Sequence, residues 1–154
     1  MLESRPAYSG FVSGVGRQAY NQAAFRHFLA IERLRAQTTS QTVLLVLVSG
    51  RRVPGAAISL SDATAASVFR GLGESVREVD FVGWFREGRV AGAVLAPTAG
   101  AAGDEAQQLM AERVMQTLIK HLSMSQASNL RVRVVRLASY GADQSEPARA
   151  LSGY

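Results

Sequence analysis

The sequence predicts an α+β domain: a βαββαβ core sheet with helices packed on it and an extra helix in front. Three observations carry that prediction. TVLLVLV (Thr42–Val48) is an unbroken apolar, β-branched-rich run, the pattern of a central strand buried on both faces. Two apolar runs, Asp80–Phe85 and Arg89–Ala96, flank Arg86-Glu87-Gly88 and outline a β-hairpin, with Gly88 available for a positive φ in the turn. Apolar residues at helical spacing come before, between and after these strands.

The elements follow in order. From about Gln18 to Gln37, Tyr20, Ala24, Phe28 and Ile31 recur at spacings of four and three, with Phe25, Leu29 and charged Glu32, Arg33 and Arg35 around them, which predicts a helix. The strand Thr42–Val48 comes next, and Gly50, Pro54 and Gly55 then break the pattern. Ser61, with Asp62 behind it, is a natural N-cap for a second helix whose stripe is Ala65, Val68, Phe69, Leu72, Val76 and Val79. Gly71 and Gly73 weaken this helix and are placed off its stripe. After the hairpin and the loop PTAGAAGD, a third helix is expected from Asp104 to Ser123, with Met115, Leu118, Ile119 and Leu122 inward. The alternating run NLRVRVVRL (Asn129–Leu137) predicts a last strand, near an edge of the sheet. Residues 1–16 and 139–154, rich in chain breakers and polar residues, are read as a flexible lead-in and tail around one domain over 17–138.

Composition narrows the function classes. The chain has 154 residues, enough for one domain with a real core. It has no cysteine, which excludes a disulfide framework and thiol chemistry. MLESRPAYSG lacks the apolar centre of a signal peptide, and no apolar run approaches a membrane span, so a cytoplasmic location is expected. Seventeen basic against twelve acidic residues give a net charge of +5, favourable to anionic partners. The arginines are spread along the chain, the pattern of a solvated basic surface. His27 and His121 stand without an acidic partner at ligand spacing, and Ser13 and Ser49 lack His and Asp companions. Gly14-Val15-Gly16 follows no strand and is too short for a dinucleotide loop. Trp84 and Phe85 are expected in the core.

The order of elements and several local sequences resemble the GGDEF family, the diguanylate cyclases that join two GTP molecules into cyclic di-GMP. TVLLVLV takes the place of the family's first strand, and REVD (Arg77–Asp80) matches its Arg-x-x-Asp. FVGWF supplies the five residues that follow, so the signature falls on Arg86, Glu87, Gly88, Arg89 and Val90. Ala111-Glu112-Arg113 matches the family's Ala-Glu-Arg, and YNQAAFRHF resembles its Asn-Arg-x-x-Phe opening. The resemblance spans roughly Gln18 to Leu137. It implies the nucleotidyl-cyclase fold and a bacterial signalling context.

The departures from the family pattern bear on chemistry. Its cyclases hold a divalent metal with an acidic residue at the end of the first strand and another in the signature loop. Here Ser49, Gly50 and Arg51 end the strand, Gly88-Arg89 stands mid-signature, and Glu87 replaces a phosphate-approaching Gly. RRVPGAAIS lacks the family's guanine-reading Asn-Asp. Hard cations need oxygen ligands, and an arginine beside them repels. The expectation is therefore a non-enzyme, without cofactor or metal, that regulates or binds proteins, through a partner or a second copy. Arg77 and Asp80 fall on the family's inhibitory site, which implies cyclic di-GMP as a ligand, with Arg113 as a second basic contact. The competing expectation for Arg77 and Asp80 is a helix-end ion pair. An RNA-recognition-like domain shares the βαββαβ order but displays aromatics on its central strands. TVLLVLV and RVAGAVLAP have none, so nucleic acid is not an expected partner, and without an apolar run of spanning length neither is a membrane.

Overall fold

The computed structural model describes residues 19–51, 59–95 and 104–137. The expected lead-in and tail, Gly14–Gly16, the Pro54-Gly55 break and most of the loop after the hairpin lie outside the described residues. The elements are β1 (Ala19–Tyr20), α1 (Gln22–Thr39), β2 (Val43–Gly50), α2 (Asp62–Ser75), β3 (Phe81–Arg86), β4 (Val90–Leu95), α3 (Asp104–Ile119), α4 (Met124–Ser128) and β5 (Leu130–Leu137). They form one five-stranded sheet in the order β1-β3-β4-β2-β5. All neighbouring strands are antiparallel except β1, which runs parallel to β3 through Ala19↔Val82 and Tyr20↔Gly83. β5 lies at an edge, as its alternation predicts, and β2 lies between β4 and β5.

Helices cover both faces, and each face has its own core. On one, α2 and α3 lay Ala65, Val68, Phe69, Leu72, Val114 and Leu118 over Val46, Val48, Val82, Trp84, Ala91 and Ala93. On the other, Phe25, Leu29 and Ala36 of α1 join Leu45, Leu47, Phe85, Val94 and Leu137. Phe25 sits over a saddle made by the cross-strand pair Gly83↔Gly92. A Cβ on Gly83 would lie 2.9 Å from its Cδ1, and one on Gly92 3.0 Å from its Cζ.

Several expectations shift. α1 buries Ala24, Phe25, Leu29 and Ala36, so of the residues read at helical spacing Ala24 is in the core, Phe28 is half-buried and Ile31 is exposed. The helix begins only after Asn21, whose side chain accepts from Ala24 N at 2.9 Å, so Tyr20 is in β1. Ser61 caps α2 as predicted, through Thr64 N. α2 ends at Ser75 because Val76 is extended, which leaves Val79 67% exposed beyond the helix. β3 starts at Phe81, one residue late, because Asp80 N closes a turn on Arg77 O at 3.0 Å. α3 stops at Ile119, which is exposed, and Ser123 starts α4 with a capping box to Gln126. Among the described residues no helix is long and apolar enough to cross a membrane.

Gly71 is not off the packed side of α2. It is buried against α3, where an added Cβ would lie 2.6 Å from Leu118 Cδ2 and 3.2 Å from Leu118 Cα. Alanine is a better helix former by about 0.5–1 kcal/mol, but forcing atoms into a packed contact costs about 1–3 kcal/mol. The contact wins, so Gly71→Ala is expected to lower the melting temperature. A thermal unfolding curve checks this, and an unchanged or higher midpoint would show that the helix pair relaxes freely.

Candidate functional site

The hairpin tip is where the chain gathers its polar contacts. β3 and β4 pair to Arg86↔Val90 with a bulge after Trp84, and the turn Glu87–Arg89 is closed by Arg89 N donating to Arg86 O at 2.9 Å. Gly88 takes φ 74°, a conformation that costs other residues and not glycine. Three elements meet this tip. The strand end is alongside, because Ser49 of β2 is opposite Val90 and is only 2% exposed. The lead into α2 reaches it through Leu60 N donating to Gly88 O at 2.9 Å. The N-terminus of α1 meets Glu87, whose Oε1 accepts from Gln22 N at 3.2 Å while its own N–H donates to Gln22 Oε1 at 2.6 Å.

Glu87 therefore places a carboxylate on the first amide of an 18-residue helix, where the helix dipole favours negative charge. Arg26, one turn along, donates from Nε to Phe85 O at 2.9 Å and lies 4.3 Å over the Phe85 ring. Partial burial, with the Arg86 charge adding to it, lowers the pKa of Arg26 from its ordinary value. Phe85 and Trp84 are core residues, as expected, at 3% and 2% exposure.

The second group is Arg77 and Asp80. Both carboxylate oxygens of Asp80 are engaged. Oδ2 accepts from Arg77 N at 2.8 Å and from Nε at 3.2 Å, and Oδ1 accepts from Nη2 at 3.0 Å. The Asp80 side chain is 1% exposed and that of Arg77 51%. The pair is thus a bidentate clamp with its acid buried and its guanidinium at the surface. Arg113 is exposed on α3, one residue before buried Val114, and its side chain makes no hydrogen bond or ion pair among the described residues. The structure joins Arg77 to Asp80 and sets the hairpin Arg86–Val90 beside β2 and α1. No described contact joins Arg113 to either group.

By sequence, no protein-family model and no curated relative matches the chain. By structure it matches the GGDEF domain of FimX from Pseudomonas aeruginosa, with TM-score 0.63 and 16% identity over 91% of this chain and 88% of that one. It also matches the GGDEF domain of DgcB from Caulobacter crescentus, solved in complex with c-di-GMP, with TM-score 0.59 and 13% identity over 94% and 88%. The diguanylate cyclase SiaD from Pseudomonas aeruginosa, solved with its activator SiaC, matches with TM-score 0.64 and 16% identity over 95% of this chain. This chain spans 56% of that SiaD chain. The fold is GGDEF-like.

The resemblance read from the sequence implies a metal site at the strand end and the signature loop. Here they adjoin, through Ser49↔Val90, and the residues do not suit a divalent cation. Ser49 is a buried hydroxyl, Arg51 and Arg89 are exposed cations, and Glu87 is bound to α1. Among the described residues no three His, Asp or Glu side chains are grouped for a metal. His121, read as isolated, instead has Nε2 2.9 Å from Glu74 Oε1, an acid 47 residues away in sequence.

Gln22 and Arg26 were missed by sequence reasoning. The one signal that could have found them is that both follow the N-cap Asn21 on the first turns of α1, where an approaching loop finds donors.

Two stability predictions separate the groups. Removing an acid from a helix start costs about 0.3–1 kcal/mol at a surface site, so Glu87→Ala should lower unfolding free energy by that order, with Glu87→Gln in between. Asp80→Ala leaves the Arg77 amide and guanidinium without their acceptor, a loss of about 1–3 kcal/mol. Urea unfolding of the three variants ranks them, and Asp80→Ala should be the least stable.

Proposed function

We propose that this chain is a catalytically inactive GGDEF-like domain that regulates by binding, with cyclic di-GMP as its ligand at Arg77 and a protein as its partner. The observation that supports inactivity is the state of the signature-equivalent hairpin. Its one carboxylate, Glu87, is engaged with the N-terminus of α1, and the strand end beside it offers Ser49 in place of an acid. Phosphoryl transfer by this fold's chemistry needs cations to neutralise a triphosphate and activate a hydroxyl. No step through a metal is assigned to these residues.

The ligand reading rests on the Arg77 clamp. A planar guanidinium oriented by Asp80 can give two parallel donors to a phosphate or to the O6 and N7 of guanine. Asp80 is too buried to read a guanine edge itself, so its role is to position Arg77. Arg113, exposed on α3, would supply a second cation. DgcB was solved with c-di-GMP and SiaD with an activator protein, so the fold's relatives include both kinds of complex. A sheet reader of RNA is disfavoured, because the described side chains of β2 and β4 lie under helices on both faces.

Incubation with GTP and Mg²⁺ or Mn²⁺ should yield no cyclic di-GMP by chromatography. Product that disappears on mutating residues 86–90 would overturn the reading. Calorimetry with cyclic di-GMP in EDTA should show binding. Arg77→Ala should weaken it about tenfold or more, since a charge-assisted hydrogen bond contributes about 1.5–3 kcal/mol. A wild-type melting point unmoved at saturating dinucleotide would leave Arg77 and Asp80 as a structural pair.

A further inference from the structure

α1 has a second, largely apolar row without Asp, Glu, Lys or Arg, away from the sheet. Phe25, Leu29 and Ala36 face the core. Helical spacing sets Ala23, His27, Ala30, Ile31, Leu34 and Thr38 together on another side, and none of them is Asp, Glu, Lys or Arg. Ile31 is 36% exposed and Leu34 64%. At its N-terminal end the row runs into Phe28, whose ring lies 4.8 Å from Tyr20 and 5.6 Å from Phe81. All three rings are half-buried. Single exposed apolar residues are ordinary; a three-turn row ending on an aromatic cluster is the anatomy of a contact surface with anchors.

The charges beside the row decide what fits it. Arg26 and Arg33 border one side and Arg35 the other. The helix has one acid, Glu32, whose side chain is 14% exposed and holds Arg35 Nη1 at 2.9 Å. The surface therefore offers apolar side chains between cations, on a chain of net charge +5. A second copy laid against it would set arginine borders against arginine borders, which is unfavourable.

We propose that the outer face of α1 docks an acidic amphipathic helix from another protein. Ala23 to Leu34 spans about 16 Å, enough for anchors at i, i+4, i+7 and i+11 of a partner helix. Acidic residues flanking those anchors would meet Arg26, Arg33 and Arg35. The residues varied on this face, Ile31 and Leu34, are not part of the Arg77–Asp80 pair, so either proposal can fail without the other.

The test uses the full chain and a labelled 20-residue helical peptide with Leu at those four anchors and Glu beside them. Fluorescence anisotropy at low salt should give saturable binding. Leu34→Glu and Ile31→Glu should each weaken it at least tenfold while keeping the wild-type circular dichroism and melting point. Should either variant unfold, Leu34→Gln replaces it, with the same direction expected. The peptide with Lys for Glu should bind at least tenfold more weakly. Absence of saturable binding, equal binding by a scrambled peptide of the same composition, or indifference to the variants overturns the proposal. So does a wild-type dimer in sedimentation that Leu34→Glu dissociates, which would give the face to a second copy.

Discussion

A strand made only of apolar side chains is stable only when both of its edges and both of its faces are covered, and Val43–Val48 imposes that demand on the whole domain. β2 meets it with six paired positions on β4 and eight on β5. Its even-numbered side chains Val46 and Val48 go under α2 and α3, and its odd-numbered Leu45 and Leu47 go to the α1 side. The sheet order and the two helical layers are consequences of burying this one segment.

The hairpin beside β2 is then fixed from two sides. Trp84 points into one core, edge-on to Phe69 at 5.0 Å, and Phe85 into the other, edge-on to Phe25 at 6.5 Å. With its strands anchored, its tip is available for whatever the turn residues carry. Glu87 and the amide of Gln22 bind reciprocally, and Arg26 ties the Phe85 carbonyl to the same helix. The tip is thus a fastening between the sheet and α1.

Elements with a long, pure period were legible in the sequence. The β2 run, the Ser61 cap, the Ala65–Leu72 stripe and the hairpin were all readable because each is decided by local pattern. β1 was not, since Ala19–Tyr20 is too short to have a period and exists only because β3 offers it an edge. The spacing in α1 was readable as a helix, but not which side meets the sheet: the side of Phe25 and Leu29 is buried, and Ile31 is exposed. The division of α3 from α4 was readable in Ser123-x-x-Gln126, a capping box that the apolar spacing around it obscured. Arg77 and Asp80 were singled out by resemblance, and the structure pairs them. The burial of Asp80 was not legible, and neither was the Glu87–Gln22 contact across 65 residues, because both depend on tertiary packing.

The burial of Ser49 opposite Val90 also bears on how such a domain could change. A carboxylate at that position, at 2% exposure, would be an unpaired charge away from water unless a cation arrived with it. The cation, in turn, would meet Arg51 and Arg89 and find Glu87 already committed to α1. Each substitution toward a metal site is unfavourable until the others are made. On the proposed inactive reading, such a domain is held by epistasis, because any route to a metal site here passes through less stable intermediates.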